Sequence, residues 1–562
     1  MSATGSPHPV LVVGLDGATF QLLEPWLESG ELPCLSRLYR EGVRGTLESV
    51  TPPLSPEAWS TFMTGKHPGL HGVMNFLSFR PGSYDIQFTN GSLIRGKTIW
   101  RLLSDAGKRV GVMGVPMTYP PEPVNGYLVS GVETPGVGSR YTHPESLAQE
   151  LRDALGGYDL HGDFLDTTDP SEYLSRLLNM VGNQARAACY LLKRYPADLS
   201  VVVIGATDRV QHSFWRYMDR GHPWHDAGTP AQLADAIKTV YRRVDEALAE
   251  IIEQVPEARN MVIMSDHGCG PCHTLVDLNR WLTQRGYLVL ARRRGMGLST
   301  VRELCSRAAA RCPRWLKDLL KARLPGLRTQ VASLMLLSQV DWAQSQAFAI
   351  CTQYGYIYVN RRDRFPLGVV EPGAEADQVC ERLAAELGEL REPETGEPVV
   401  ARVVRTPELY DGPASDMLPD LIVLWREGYI SRTRTDVSLP TSADARRGVF
   451  QPTGRTIEEW SGSHRPDGVL IAHGPVFAAP GHIEGARLID LAPTLLHLLG
   501  QPVPEDMTGR VLEELLDPGF LAENPVRYSA ADRAETSGVP TAELSPEESE
   551  EVAERLRKMG YL

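Results

Sequence analysis

The hydrophobic residues of this chain fall into short continuous runs rather than into a strict alternation with polar residues. Such runs, rich in Val, Ile and Leu and ending in Asp, Gly or Pro, are typical of parallel strands that are buried on both faces of a sheet. They predict parallel strands at residues 10–15, 109–115, 199–205, 260–265, 419–425 and 468–473.

Longer segments with the helical period lie between these runs. The clearest cover residues 171–193 and 230–254. Alternation of buried strands with helices predicts an α/β fold, with a mostly parallel central sheet and helices on both of its faces.

The length and the changes in composition predict four segments. A chain of 562 residues exceeds one ordinary domain, so we expect a core interrupted by a helical insertion. The predicted segments are the first part of the core at 1–279, the insertion at 280–345, the second part of the core at 346–515, and a tail at 516–562 that ends in a helix.

The predicted insertion differs in charge from the rest of the chain. Residues 292–328 hold eleven Lys or Arg against two acidic residues, interleaved with Leu, Ala and Trp315. This composition is typical of basic amphipathic helices. Three interpretations stay open, namely a solvated insertion packed on the core, a cap that attracts anionic substrates, and a contact with a membrane surface.

Three aspartates stand just after predicted strands. Asp16 ends the run VLVVGLD, and Asp208 and Asp266 each follow a later run. In an open α/β sheet the carboxyl edge of the strands is where ligands bind. His212 lies four residues after Asp208, which places both on one face of a helix, and His267 adjoins Asp266. These oxygen and nitrogen donors suit zinc or manganese, so we expect two such ions at this edge.

Ser55 is the candidate nucleophile. Ser-Pro-Glu is also a good helix start, with Ser55 as N-cap and Pro56 at the first helical position, and the two roles are compatible. A helix N-terminus attracts anions, and coordination to a metal would activate the weak serine nucleophile. Two ions about 4 Å apart can hold the attacking and the leaving oxygen of an in-line displacement at phosphorus. The pattern therefore predicts a metallo-phosphohydrolase.

Two histidines and two cysteines offer competing interpretations. His464 lies in a Gly- and Ser-rich loop and would complete the ligand set, whereas His473 falls inside a predicted strand and favours a structural role. Cys269 and Cys272 spell the C-x-x-C motif of thioredoxin-like oxidoreductases. That motif should open a helix in a small βαβ domain, so we do not expect redox catalysis from it. We also do not expect zinc binding by Cys269, Cys272 and His273, because no fourth ligand lies nearby in the sequence.

Charge and the N-terminal sequence narrow the classes of partner. The formal net charge of −13 argues against nucleic-acid binding, which needs a basic surface, but it allows small phosphorylated substrates where metal ions supply positive charge. We find no basic signal region and no run long enough to span a membrane. With eight scattered cysteines, we expect reduced thiols and a cytoplasmic protein; a homo-oligomer stays open.

Taken together, these motifs resemble the alkaline phosphatase superfamily and, within it, the type I phosphodiesterase/nucleotide pyrophosphatase family. The resemblance runs from about residue 9 to residue 515, with gaps through the basic insertion. It implies seven metal ligands in two sets. The first set is Asp208, His212 and His464, and the second is Asp16, Asp266, His267 and the Ser55 oxygen.

The chain departs from the family at the nucleophile. Members of the phosphodiesterase type usually carry threonine there and an asparagine three residues later, where this chain has Ser55 and Ala58. The asparagine contacts a phosphoryl oxygen, so Lys66 or a residue of the basic insertion is the candidate replacement. The C/S-x-P-x-R pattern of the related sulfatases is absent at Ser55.

The sequence thus predicts a two-metal phosphohydrolase that cleaves phosphate mono- or diesters through a phosphoseryl intermediate. The expected cofactors are two divalent ions, zinc or alternatively manganese. A phosphomutase or phosphotransferase of the same superfamily is one alternative. The other is a protein that binds a phospholigand without catalysis.

Overall fold

The computed structural model describes residues 8–136, 138–156, 167–255, 260–291, 340–431, 448–531 and 544–559. The strands, in chain order, are Val10–Leu15 (β1), Val43–Glu48 (β2), Leu77–Phe79 (β3), Ile86–Phe88 (β4), Val110–Met113 (β5), Gly126–Val129 (β6), Thr142–His143 (β7), Leu199–Ile204 (β8), Asn260–Met264 (β9), Gly268–Val276 (β10), Ala347–Cys351 (β11), Gly355–Val359 (β12), Val400–Arg405 (β13), Leu421–Trp425 (β14), Gly428–Ser431 (β15), Phe450–Pro452 (β16), Gly462–Arg465 (β17), Asp467–His473 (β18), Gly481–His482 (β19), Ala486–Arg487 (β20), Val503–Pro504 (β21) and Tyr528–Ser529 (β22). The α-helices are Phe20–Glu28 (α1), Pro33–Glu41 (α2), Ser55–Thr64 (α3), Pro68–His71 (α4), Ile99–Asp105 (α5), Leu147–Leu155 (α6), Pro170–Arg194 (α7), Ala206–Met218 (α8), Ala231–Ala234 (α9), Ala236–Glu253 (α10), Leu278–Gln284 (α11), Ala374–Gly388 (α12), Thr406–Leu409 (α13), Leu491–Leu498 (α14), Pro518–Glu523 (α15) and Pro546–Lys558 (α16).

A ten-stranded sheet forms the centre of the fold, in the order β19–β2–β18–β9–β1–β8–β5–β6–β7 with β20 beside β2. Strand β1 pairs in parallel with both β8 and β9, and β5 pairs in parallel with β8 and β6. The predicted α/β fold with a mostly parallel central sheet is therefore confirmed.

For two of the predicted strands, β18 and β14, the predicted parallel pairing is wrong. Strand β18 is antiparallel to both of its neighbours, β2 and β9. Strand β14 belongs to a separate antiparallel sheet of four strands, in the order β11–β12–β14–β13. Their apolar runs reflect burial on both faces, which occurs in either pairing, so the local pattern could not decide the strand direction.

Successive side chains of β1 pack into two different cores. Leu11, Val13 and Leu15 join a core built with α1, α2, α7, α8 and α10. Val10 and Val12 join the core on the opposite face, which includes α3, α5 and α14. This alternation follows from the period of two along a strand. It places helices on both faces of the sheet.

A third core joins the second sheet to α11, α12 and the last helix, α16. Most of the predicted basic insertion, residues 292–339, lies outside the described residues, so its three interpretations stay as predictions. In the described part of the chain, no helix combines the length and apolar character needed to cross a membrane.

Candidate functional site

The carboxyl edge of three neighbouring strands, β9, β1 and β8, gathers the predicted aspartates. Asp16 follows β1, Asp266 follows β9, and Asp208 lies in the first turn of α8, which follows β8. Two side chains hold the main chain of the turn at Asp16 and Gly17. Asp266 Oδ1 accepts a hydrogen bond from the Gly17 amide at 3.3 Å, and Thr207 Oγ1 donates one to the Asp16 carbonyl at 2.6 Å. Parallel pairing in register brings these strand ends to one place.

Asp208, His212 and His464 form the first cluster. His212 Nε2 lies 3.1 Å from Asp208 Oδ1, and His464 Nε2 lies 3.3 Å from the same oxygen. The two Nε2 atoms are 3.1 Å apart. Asp208 and His212 are one turn apart on α8, as predicted, and His464 comes from strand β17 rather than from a loop. All three side chains are buried.

Asp16, Asp266 and His267 form the second cluster, with Ser55 beside it. His267 Nε2 lies 3.3 Å from Asp266 Oδ2 and 3.6 Å from Asp16 Oδ1. Ser55 Oγ lies 3.2 Å from the same nitrogen. Ser55 is the first residue of α3, and Leu54 takes the N-cap position, so the predicted cap role of Ser55 is wrong by one residue. The serine side chain is therefore free of capping and faces the cluster.

Main-chain carbonyls fix the tautomer of all three histidines. His212 Nδ1 donates to Gly462 O at 2.7 Å, His464 Nδ1 to Pro53 O at 2.9 Å, and His267 Nδ1 to Gly268 O at 3.0 Å. A carbonyl can only accept, so each Nδ1 carries the proton and each Nε2 keeps its lone pair. This is the arrangement that metal-binding histidines adopt in proteins.

Ring stacking holds the imidazoles in place and joins the two clusters. The His267 and His464 rings stack with centroids 3.6 Å apart, and Trp460 stacks on His212 at 3.8 Å. The stack of His267 on His464 therefore connects a residue of each cluster directly.

Burial and neighbouring charges shift the pKa values of several side chains in the two clusters. Burial, reinforced by the charges of Asp266 and Asp208, raises the pKa of Asp16 well above its usual range. Burial and the charge of Asp208 raise the pKa of Asp266 to about 8. Burial beside His267 lowers the pKa of His464 to about 3. A dication between these groups would offset the cost of crowding three buried carboxylates.

The donor geometry fits divalent cations. Ligand atoms about 2.0–2.1 Å from a tetrahedral ion lie about 3.3–3.4 Å from one another. The three distances of the first cluster are 3.1–3.3 Å, and those from His267 Nε2 to Asp16, Asp266 and Ser55 in the second are 3.2–3.6 Å. Asp16 Oδ1 and Asp266 Oδ2 are buried and accept no hydrogen bond from the described residues. Each cluster could hold one metal ion, and nitrogen and oxygen donors suit zinc and manganese alike.

Gln353 and Tyr354 are site residues that the sequence did not indicate. Both lie in the turn between β11 and β12 of the second sheet. Gln353 Oε1 accepts from Ser463 Oγ at 2.9 Å and from the His464 amide at 3.2 Å, and its Nε2 lies 3.0 Å from His464 Nε2. Tyr354 OH donates to the His464 carbonyl at 3.1 Å. No motif marks these residues, because only tertiary packing brings them to His464.

Lys66 is not brought to the clusters. It lies just past the C-terminal end of α3, whereas Ser55 begins the helix, and its ammonium pairs with Asp506. A helix of this length separates the two residues by roughly 15 Å. Ala58 is fully buried in the core beneath the sheet.

The two cysteines of the C-x-x-C motif and His473 lie within strands rather than at the candidate site. Cys269 and Cys272 lie in strand β10 rather than at the start of a helix, and burial raises the pKa of Cys272 to about 12. A thiol that resists ionisation is a poor nucleophile and a poor ligand. His473 lies in β18, with Nε2 3.6 Å from Glu41 Oε2.

A cavity of about 270 Å³ opens beside Ser55, Asp16, Asp208 and His212. Its lining combines apolar and hydrogen-bonding side chains. The apolar residues include Phe76, Met113, Met180, Ile457, Trp460 and Met559, and the polar ones include Tyr173, Gln184, Arg209 and Ser213. The cavity can hold an organic group next to the reacting centre.

This chain is similar to one curated protein over a short segment, and to solved structures at low sequence identity. A 49-residue segment is 51% identical to 2,3-bisphosphoglycerate-independent phosphoglycerate mutase of Cereibacter sphaeroides, but the match covers only 9% of this chain and 9% of the mutase. Among solved structures, phosphonoacetate hydrolase from Sinorhizobium meliloti 1021 is 14% identical with a TM-score of 0.49, over 88% of this chain and 95% of that chain. Human ectonucleotide pyrophosphatase/phosphodiesterase 5 is 13% identical with a TM-score of 0.47, over the same shares.

The family comparison covers far more of the sequence than the segment similar to the mutase does. The profile of the type I phosphodiesterase / nucleotide pyrophosphatase family matches residues 10–442, a range that contains six of the seven predicted ligands and leaves out His464. Since this range is well over half of the chain, the protein belongs to the type I phosphodiesterase / nucleotide pyrophosphatase family, whose members are metal-dependent phosphoester hydrolases.

Proposed function

We propose that this protein hydrolyses phosphate diesters through a phosphoseryl intermediate on Ser55, with two divalent cations, zinc or alternatively manganese, as cofactors. The observation that carries the proposal is the buried Ser55 hydroxyl, 3.2 Å from His267 Nε2, beside two clusters of metal-ligating side chains. Family membership supports the reaction class, and the cavity beside Ser55 supports a substrate with a second organic group.

In the proposed reaction Ser55 Oγ bonds to phosphorus while the bond to the leaving oxygen breaks on the opposite side. Water then attacks the phosphoserine, which releases the phosphorylated product and restores the serine hydroxyl. Bound cations would lower the pKa of the serine hydroxyl and neutralise charge on the phosphoryl and leaving oxygens. Asp208, His212 and His464 would hold one cation, and Asp16, Asp266, His267 and Ser55 the other.

The start of α3 carries one acidic residue, Glu57, two positions after Ser55. Glu57 is fully buried one turn into α3, and burial raises its pKa well above the usual range. Tyr356 OH donates to Glu57 Oε1 at 2.6 Å. A neutral Glu57 adds no negative charge next to the phosphoryl group.

Ser55→Ala tests the nucleophile. Removal of the hydroxyl should reduce hydrolysis of bis-p-nitrophenyl phosphate at least about 10³-fold, because the proposed reaction has no other nucleophile to attack phosphorus. The metal content by elemental analysis should stay near that of the unaltered protein, because six other ligands remain. Ser60→Ala is the matched control, since Ser60 is buried on the same helix and its hydroxyl has no hydrogen-bond partner in the described residues. Full activity of Ser55→Ala would contradict the assignment.

A second candidate is phosphoryl transfer to another substrate, as in a phosphomutase. The segment similar to phosphoglycerate mutase favours it. The same assay separates the two, because a transferase would be slow on bis-p-nitrophenyl phosphate and would accelerate when a hydroxyl acceptor is added. A hydrolase would keep its rate without an acceptor.

A further inference from the structure

The last helix of the chain reaches the proposed substrate cavity. Helix α16 ends at Lys558, and both Lys558 and Met559 line the cavity that also exposes Ser55 and His212. No ligand set or motif in the sequence connects this segment with the site, because roughly 95 residues separate it from His464.

Polar anchors attach the end of α16 to two walls of the cavity. Trp460 Nε1 donates to the Met559 carbonyl at 2.9 Å, and the Trp460 ring also stacks on His212. Arg555 donates to the carbonyls of Val132, Thr134 and Pro135, and Val132 itself lines the cavity. The helix thus bridges wall segments that are far apart in sequence.

Apolar packing supports these anchors. Val552, Ala553 and Leu556 are buried in the core that α16 shares with the second sheet. Met559 is also buried, and its side chain belongs both to this core and to the cavity wall. These four side chains recur at helical spacing from residue 552 to residue 559, so the C-terminal half of α16 and the residue that follows it pack against this core.

We propose that α16 determines which phosphodiesters the protein accepts, by presenting Met559 against the second, non-leaving organic group. Met180, Ile457 and Trp460 line the same cavity and are apolar, so together with Met559 they favour an apolar or aromatic group. The inference rests on the proposed function for its chemistry, and it concerns only the non-leaving group.

Two diesters with the same leaving group isolate this effect. Bis-p-nitrophenyl phosphate and methyl p-nitrophenyl phosphate both release p-nitrophenol and differ only in the retained group. Met559→Ala should lower kcat/KM for the bis-p-nitrophenyl compound about tenfold, because it removes most of the apolar contact. The change for the methyl compound should stay within about twofold. Arg555→Met, which keeps the side-chain stem and removes the donors, should act in the same direction.

Binding provides a readout that does not depend on turnover. Calorimetric titration of the zinc-loaded protein with diphenyl phosphate should show about tenfold weaker affinity in Met559→Ala, with methyl phenyl phosphate little affected. Glu547→Gln, an exposed change in the first turn of α16, is the control. Thermal unfolding of each variant shows whether the fold is intact.

The outcomes separate the two proposals. Equal losses for both diesters, no loss for either, or no binding of diphenyl phosphate would overturn the role of α16. If both diesters are hydrolysed and neither rate changes in Met559→Ala or Arg555→Met, the proposed function is supported and the role of α16 is contradicted. Binding of diphenyl phosphate that depends on Met559, without hydrolysis of any ester, supports the inference and contradicts the proposed function.

Discussion

The Gln353 amide connects the second sheet to the first cluster of candidate metal ligands. Its carbonyl oxygen accepts from Ser463 Oγ and from the main chain of His464, so it fixes the strand that carries this ligand. Residues that orient a ligand from behind commonly change metal affinity by about 10–100-fold. We therefore expect Gln353 to act by positioning His464.

Gln353→Ala should weaken zinc binding by about tenfold or more, because the His464 backbone loses its partner. Competition with a chromophoric zinc chelator measures this affinity directly. Gln344→Ala is the control, because Gln344 is exposed and bonds only to Asp341 in the described contacts. Equal zinc affinity in the Gln353 variant and the unaltered protein would contradict the positioning role.

Glu122 makes stability depend on pH at a place far from the clusters. Burial raises its pKa to about 7 against the 4.5 of an unfolded chain, although Thr98 and Trp100 donate hydrogen bonds to it. The folded state therefore binds this proton more tightly, and the free energy of unfolding should fall as pH rises from about 4.5 through about 7. The loss is roughly 3 kcal/mol for a shift of this size.

Glu122→Gln should remove this part of the pH dependence, because the amide keeps an acceptor and cannot ionise. Urea unfolding of both proteins at pH 5 and pH 8 measures the difference. The unaltered protein should lose more stability than the variant between these values. Parallel curves for the two proteins would show that Glu122 titrates normally in the folded state.

At the scale of elements, the approach of α3 to β1 sets the position of Ser55, the proposed nucleophile. A Cβ added at Gly14 would lie 2.6 Å from the Trp59 ring and 3.1 Å from Val203, so glycine allows the helix to lie directly against the strand. Trp59 is one turn along the helix that begins at Ser55. The same close contact also fixes the start of the turn that carries Asp16.

Gly14→Ala should destabilise the fold by about 1–3 kcal/mol, because the added methyl overpacks the contact with Trp59. Displacement of α3 should also lower kcat for phosphodiester hydrolysis, since Ser55 moves relative to the clusters. Urea unfolding and steady-state kinetics measure the two effects. Gly388→Ala is the matched control, because nothing lies within 4 Å of a Cβ at the end of α12. Unchanged stability and kcat in Gly14→Ala would show that the helix can adjust.

At the scale of the whole molecule, metal binding should contribute to stability. The carboxylates of Asp16, Asp208 and Asp266 follow three neighbouring strands of the central sheet, and all three are buried. Binding to the folded state alone adds about 2.7 kcal/mol per site when the free ion is at a hundred times its dissociation constant.

Chelation of the metal should therefore lower the unfolding temperature of the protein, and added zinc should restore it. Differential scanning calorimetry before and after chelation, with elemental analysis of each sample, measures both quantities. Asp208→Asn, which removes a ligand of the first cluster, should show a smaller decrease on chelation. An unchanged unfolding temperature in protein shown to have lost its metal would contradict the contribution of the ions.

Much of the central sheet and most of the candidate site could be predicted because their signals are local. Apolar runs mark β1, β8 and β9, and each run is followed by an acidic residue within a few positions. The spacing of Asp208 and His212 already places them on one face of a helix. Parallel strands with short turns then bring these residues to one edge, so the sequence constrains both the fold class and the location of the site.

Only the tertiary structure decided three features of the molecule. They are the direction of the strands, the contacts that orient the candidate ligand His464, and the wall of the cavity beside Ser55. The apolar run of β14 does not reveal its antiparallel partner, and no local pattern links Gln353 to His464 or Met559 to Trp460. These contacts join segments that are roughly 65 to 110 residues apart in the sequence. Whether such segments meet depends on how whole sheets and helices pack. Local patterning determines which residues are buried and which carry chemistry, whereas long-range packing determines which of them meet, because contact energies depend on positions that no single segment specifies.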